Sequence, residues 1–147
     1  MSILLSNSMQ PNTRQTREQQ RAEDAFQRVQ AVVNENQSWI KDYGRQCRRL
    51  PTMLLQVGLC QMVGFYQAKG RADATNASRQ KEAFLRVLSD LALVMREDTL
   101  PESARTNDIS RYRAMTLEAL KCAHYLKRYV EAFDLGAPDA SADGVQP

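Results

Sequence analysis

Apolar side chains recur along most of this 147-residue chain at steps of three and four, the spacing that places them on one face of an α-helix. The spacing runs through residues 13–43, returns at residues 78–96, and is most regular at residues 108–133. In the last range a seam of apolar positions extends from Tyr112 to Phe133. The pattern predicts three amphipathic helices.

A central segment between the first two of these helices is apolar on nearly every side. Residues 50–68 contain no charged side chain, but glutamines and glycines interrupt them, which favours a core helix over a membrane span. Because the residue before a proline disfavours the α region, we expect a helix boundary just before Pro51 and a helix end at Gly70. Gly58 and Gly64 are expected to let another helix approach closely.

These elements predict an all-α fold, a compact bundle of about four long helices plus one or two short ones. Residues 70–77 and 97–106 are small or charged and are expected to be loops. The bundle is predicted to occupy residues 13–134. Residues 1–12 form a predicted flexible tail, and the acidic residues 135–147 a predicted disordered tail.

Charge is unevenly distributed along the chain, although the net charge is only +3. Residues 44–71 hold five basic and no acidic residues, whereas residues 134–147 come to −3. If the first helix persists through Gly44, the basic residues from Lys41 to Arg49 share one face; if it breaks there, they scatter. The basic excess indicates either an anion-binding surface or a merely solvated one.

Residues typical of catalytic or metal sites are sparse. The single histidine, His124, lies with Lys121 and Arg128 opposite the apolar seam of the last helix, and no Cys, Asp or Glu lies one helical turn away. No nucleophile, P-loop or metal-ligand motif occurs. We therefore expect no metal, no cofactor and no enzymatic activity. The three cysteines are expected to be small buried side chains in a reducing cytoplasm, and they are Cys47, Cys60 and Cys122.

Two segments resemble the small subunit of the type III-B CRISPR RNA-guided effector, the Cmr complex. The first is RRLPTMLLQVGLCQMVGF at residues 48–65, preceded by Tyr43, where a basic pair, Leu-Pro, Gly-Leu and a closing Phe follow the family order. The second is YRAMTLEALKCAHYLKRYVEAF at residues 112–133. Val57 departs from the family, which usually carries a polar residue, often Asn, before the Gly-Leu pair. A contact made by that polar side chain is therefore not expected here.

The resemblance implies a non-catalytic subunit. Copies of it would stack head to tail as an inner filament beside the crRNA–target RNA duplex. They would contact the backbone subunits and the polymerase-like large subunit, with no membrane involved. Target RNA cleavage would belong to the backbone subunits.

Basic helix faces suit this role, because guide pairing reads the sequence and the protein needs only to hold phosphates and duplex shape. The candidate RNA-binding residues are Lys41, Arg45, Arg48, Arg49, Lys69, Arg71, Lys121, Lys127 and Arg128. Arg48, Arg49, Lys127 and Arg128 occupy family-like positions, and the others rest on charge and helix face. A helical protein–protein adaptor without nucleic-acid contact is the alternative. An enzyme with a metal in the bundle core is a third and weaker one.

Overall fold

A computed structural model describes residues 14–71 and 78–136, and within them the chain forms five helices and no strand. The helices are α1 (Arg17–Glu35), α2 (Ile40–Gly70), α3 (Ser78–Met95), α4 (Leu100–Thr106) and α5 (Ile109–Ala132). The predicted all-α bundle is confirmed. The predictions for residues 1–12, for most of the tail after 135 and for most of the loop 70–77 lie outside the described residues.

The first helix is shorter than predicted. Thr16 begins it with a reciprocal capping box, in which Thr16 and Gln19 each accept from the other's backbone N–H. Asn36 ends it by taking a left-handed conformation with φ of 50°, which Asn tolerates better than most residues. A single helix over residues 13–43 is therefore wrong, because residues 36–39 separate α1 from α2.

The predicted boundary before Pro51 is also wrong. The helix runs through Pro51, whose missing N–H leaves the Cys47 carbonyl without its helical donor. The helix breaks instead at Gly58, whose φ of 85° and ψ of 170° are not helical. The two parts, residues 40–57 and 59–70, fold back on each other. The Tyr66 hydroxyl lies 3.4 Å from the Gln46 carbonyl oxygen, although twenty residues of straight helix would span roughly 30 Å.

Gly58 and Gly64 do not act as predicted. A Cβ at Gly58 would meet only the Tyr112 hydroxyl, at 3.9 Å, so glycine is needed there for its positive φ and not for close packing. Gly64 has nothing within 4 Å of an added Cβ. The central segment is not buried all round either, because Leu55 is 71% exposed beside the turn.

The remaining helices agree with the sequence pattern. Asp108 caps α5 by accepting from the Arg111 N–H, and α3 ends where Arg96 takes a positive φ. Residues 100–106, predicted as loop, form the short helix α4. All four longer helices contribute to one core, and its largest fully buried side chains include Tyr43, Tyr66, Leu50, Leu59, Met62, Leu91, Met115 and Leu126. No helix of residues 14–71 or 78–136 is long and apolar enough to cross a membrane.

Candidate nucleic-acid interface

The turn after α5 packs directly on the first half of α2. Asp134 takes a left-handed φ of 59°, and the Leu135 N–H donates to the Val130 carbonyl while the Asp134 N–H donates to that of Glu131. This is a Schellman turn, which reverses the chain at a helix end. A Cβ added to Gly44 would lie 2.5 Å from the Leu135 carbonyl carbon. Helix α2 and the turn can approach this closely only because residue 44 is glycine.

The same packing fixes Arg48. Its Nε donates to the Leu135 carbonyl oxygen at 2.8 Å, and its Nη1 lies 4.0 Å from Glu131. Arg48 is therefore partly buried and ties α2 to the end of α5, which limits what it can offer a ligand. Arg45 is more available, because its ion pair with Asp42 lies within one helix turn and leaves the side chain 54% exposed.

A groove of about 650 Å³ runs between α1 and α5. Its lining residues are Glu18, Arg21, Lys121, His124, Tyr125 and Arg128. The acidic member is engaged, because the Tyr125 hydroxyl donates to the Glu18 carboxylate at 2.9 Å, a bond that raises the pKa of Tyr125. Glu18 keeps its negative charge, but Lys121 and Arg128 outnumber it, so the groove presents a net positive charge to a ligand.

Arg21 supports the wall of this groove through Glu118. The Arg21 guanidinium donates twice to that carboxylate, at 2.9 and 2.6 Å, and Arg17 donates to the same group at 2.7 Å. These hydrogen bonds lower the pKa of Glu118 to about 2, although partial burial opposes the shift. Glu118 therefore pairs with two arginines of α1 and makes no ion pair with the described cations of α5.

Most of the nine predicted contact residues make no ion pair with other described residues. Only Arg45 and Arg48 are ion-paired. The seven that are not paired are Lys41, Arg49, Lys69, Arg71, Lys121, Lys127 and Arg128. All of them except the partly buried Lys127 are exposed. Other arginines, such as Arg28, Arg86 and Arg96, are held in ion pairs between helices. The structure thus separates structural cations from available ones.

These available cations fall into neighbouring groups. The helix is unbroken at Gly44, so the basic residues from Lys41 to Arg49 lie on one face of the first half of α2, as the unbroken-helix alternative predicts. The Arg48–Glu131 contact brings this half alongside the end of α5 that carries Arg128. Lys69 and Arg71, at the end of α2, form the third group. The fold-back at Gly58 brings Lys69 towards the first half of α2, because Lys69 lies one turn from Tyr66, whose hydroxyl lies 3.4 Å from the Gln46 carbonyl oxygen. The Lys69 ammonium lies over the Phe65 ring, 5.6 Å from its centroid. Burial raises the pKa of Tyr66, and the Arg49 charge opposes this rise.

A buried polar network, which the spacing of apolar and charged residues did not indicate, joins α1, α2 and α3. Asp90 is fully buried and accepts from the Tyr43 hydroxyl at 2.7 Å, from Arg28 at 3.1 Å and from Arg86 at 3.2 Å. Burial raises the pKa of Asp90, and its three donors oppose that rise. The available signal was its position within the buried stripe of α3, between Val87 and Val94. The network joins three helices and gives the motif residue Tyr43 a structural role.

The prediction that the cysteines are buried holds for two of them. Cys47 and Cys122 are buried, and burial raises the pKa of each thiol, whereas Cys60 is exposed just after the turn at Gly58. The Cys60 backbone N–H donates to the Tyr112 hydroxyl at 3.1 Å, which caps the second part of α2. Among residues 14–71 and 78–136, no group of three His, Cys, Asp or Glu side chains is placed to hold a metal ion.

Comparison with known proteins identifies the family. The family model described as CRISPR-associated protein (Cas_Cmr5) matches residues 17–133. The CRISPR system Cmr subunit Cmr5 of Thermus thermophilus is 31% identical over 123 residues, covering 80% of this chain and 95% of that protein.

The fold agrees with this match. The crystal structure of a CRISPR-associated Cmr5 family protein from Thermus thermophilus superposes with a TM-score of 0.68 at 29% identity, covering 80% of this chain and 96% of that one. The resemblance seen in the two sequence segments is thereby confirmed. The chain belongs to the Cmr5 family of CRISPR-associated proteins, the small subunits of type III-B Cmr complexes.

Proposed function

We propose that this chain is the non-catalytic small subunit of a type III-B CRISPR RNA-guided effector and that it holds the crRNA–target RNA duplex by its phosphates. The observation that carries this proposal is the groove between α1 and α5. Its α5 residues Lys121, His124 and Arg128 are all exposed and form no ion pair with other described residues. They lie on one rigid helix, and Lys121 and Arg128 are roughly 10 Å apart along its axis.

Phosphate binding suits this arrangement better than base reading does. An A-form duplex is recognised through its phosphates and 2′-hydroxyls, because side chains cannot read its deep major groove. The cations of α2 and α5 are spread over two adjoining helices, and the aromatic rings near them are engaged in packing or hydrogen bonding. The guide RNA would then supply the sequence specificity.

The test is the salt dependence of binding to a synthetic duplex RNA. Wild type should bind with a steep loss of affinity as salt rises, because each neutralised phosphate releases counterions. Lys121→Glu with Arg128→Glu should weaken binding about tenfold or more and flatten the salt slope. A matched double reversal on α3 and α4, Lys81→Glu with Arg105→Glu, alters net charge equally and should have a much smaller effect. Equal effects from both pairs would contradict the assigned surface.

Stacking of copies is the second part of the proposal. Exposed apolar side chains collect at the bundle end that carries the Gly58 turn, because the Tyr112–Cys60 hydrogen bond places the start of α5 beside that turn. Leu55 and Ile109 are 71% and 66% exposed there. A heterologous contact between this end and a different surface of the next copy would build an open filament where the rotation between copies does not close a ring. Leu55→Ser with Ile109→Ser should abolish RNA-dependent assembly in sedimentation experiments without unfolding the chain; unchanged assembly would contradict this face.

The same exposed apolar residues favour the second candidate function, a helical adaptor that contacts only proteins. The two candidates differ in their salt dependence. Partner binding that is insensitive to salt, with no RNA bound even in an assembled complex, would support the adaptor. The backbone subunits and the polymerase-like large subunit are the proposed partners in either case.

A further inference from the structure

We propose that Glu18 reads the ribose of a bound strand by accepting a hydrogen bond from its 2′-hydroxyl, which makes the groove between α1 and α5 selective for RNA. This contact deepens the proposed function and rests on it. The observation behind it is a carboxylate among cations. Glu18 lines the groove together with Lys121, His124 and Arg128, where a negative charge repels phosphates. Phosphate binding alone therefore does not account for this side chain.

No cation fixes the Glu18 carboxylate. It forms no ion pair with other described residues, and Arg21, one helical turn away, is already paired with Glu118. Its partner is the neutral Tyr125 hydroxyl, which donates to Glu18 Oε2 at 2.9 Å. Glu18 is exposed, and its Oε1 atom has no donor among the described residues. The carboxylate is thus oriented by α5 and keeps one oxygen available as an acceptor.

The position of this acceptor suits a ribose. Tyr125 lies four residues after Lys121 and three before Arg128, so it stands between the two cations along α5. The Glu18 carboxylate that it holds therefore lies near the middle of the roughly 10 Å span between them. In a nucleic-acid strand a sugar lies between each phosphate and the next. Cations that hold successive phosphates would thus place a ribose opposite Glu18.

The 2′-hydroxyl is the group that this acceptor can recognise. It can both donate and accept, and it lets a protein distinguish RNA from DNA at a given site. An ionised carboxylate only accepts, and a hydrogen bond to a charged acceptor is stronger than one between neutral groups. A sugar without the hydroxyl offers no donor, so only the repulsion between Glu18 and the phosphates remains. The expected preference for RNA is about five- to tenfold.

The experiment compares two A-form duplexes of one sequence, one of RNA and one with 2′-fluoro sugars in both strands. The fluorinated duplex keeps the phosphates and the helix geometry but has no 2′-hydroxyl donor. Wild type should bind the RNA duplex about five- to tenfold more tightly. Glu18→Ala should bring this ratio to about one and should strengthen binding of the fluorinated duplex, because the repulsion is removed. Tyr125→Phe keeps the net charge, so it should lower the ratio without strengthening that binding.

Glu23→Ala is the matched control. Glu23 is exposed on the same helix, accepts from Gln27 at 2.7 Å and does not line the groove, so its loss removes an equal charge and should leave the ratio unchanged. A wild-type ratio near one, or a ratio that Glu18→Ala leaves unchanged, would overturn the 2′-hydroxyl contact while the phosphate-holding role stands. An equal loss of preference in the control would also overturn it. Failure of every form to bind either duplex would refute the proposed function, and this contact with it.

Discussion

Replacing Gly44 by alanine tests the packing that holds the candidate interface together. Gly44 has ordinary helical geometry, so alanine by itself would favour the helix by about 1 kcal/mol. However, the added Cβ would lie 2.5 Å from the Leu135 carbonyl carbon, 2.6 Å from its oxygen and 2.7 Å from the Gly136 nitrogen. All three are backbone atoms, which cannot move aside as a flexible side chain would.

The expected magnitude follows from the two ways in which the clash can be relieved. Overpacking with the turn in place costs about 1–3 kcal/mol. Releasing the turn instead loses the Arg48–Leu135 hydrogen bond, worth about 1.5–3 kcal/mol because its donor is charged. After the helix gain is subtracted, both routes leave a net cost centred on about 1 kcal/mol and no larger than about 2 kcal/mol, so Gly44→Ala should lower the free energy of unfolding by about 1 kcal/mol. The melting temperature should fall by about 2–4 °C, and by no more than about 8 °C.

Gly64 provides a matched control in the same helix. An added Cβ there meets nothing within 4 Å, so Gly64→Ala should raise the free energy of unfolding by about 0.5–1 kcal/mol. Both variants would be compared with wild type by urea unfolding followed by far-UV circular dichroism. A Gly44→Ala variant as stable as Gly64→Ala would refute the packing of the turn on α2.

Three further predictions concern stability and thiol reactivity. Glu118→Gln should destabilise the protein by about 2–3 kcal/mol at neutral pH. Because folding depresses this carboxyl's pKa to about 2, the difference from wild type should persist down to about pH 4.5 and vanish as pH falls to about 2, as acid unfolding would show. A constant difference across that range would contradict the pairing with Arg17 and Arg21. Tyr43→Phe should cost about 2 kcal/mol in urea unfolding, because it deprives the buried Asp90 of a donor at 2.7 Å. Tyr66→Phe should cost less, because that hydroxyl lies 3.4 Å from its acceptor, and equal costs would argue against the network. A thiol reagent should label only Cys60 in the native state and all three cysteines after unfolding; rapid native labelling of a second thiol would contradict the burial.

The amphipathic helices could be predicted because their apolar spacing records the burial directly. The pattern predicts α3 within one residue, and it predicts α5 at residues 108–133, where the helix spans Ile109–Ala132. The breaks are harder to predict, because proline and glycine act through context. Pro51 is tolerated inside α2 at the cost of one hydrogen bond, whereas Gly58 adopts a positive φ that no periodic pattern reveals.

The candidate interface was predictable in composition but not in detail. A sequence count of basic residues cannot distinguish Arg48, which holds a backbone carbonyl of the turn after α5, from Arg128, which faces a groove. That difference arises from contacts between residues far apart in sequence. The Asp90 network was missed for the same reason, because its donors come from α1 and α2 as well as from α3.

The most direct test of the proposed role is co-purification. The chain would be tagged, expressed with its neighbouring genes, and isolated under mild salt, and its bound RNA and proteins would be identified. Small RNAs of defined length together with several partner subunits are the predicted result, and the RNA should be reduced by Lys121→Glu with Arg128→Glu. Recovery of the chain alone, or with one protein and no RNA, would contradict the RNA-holding role and favour the adaptor.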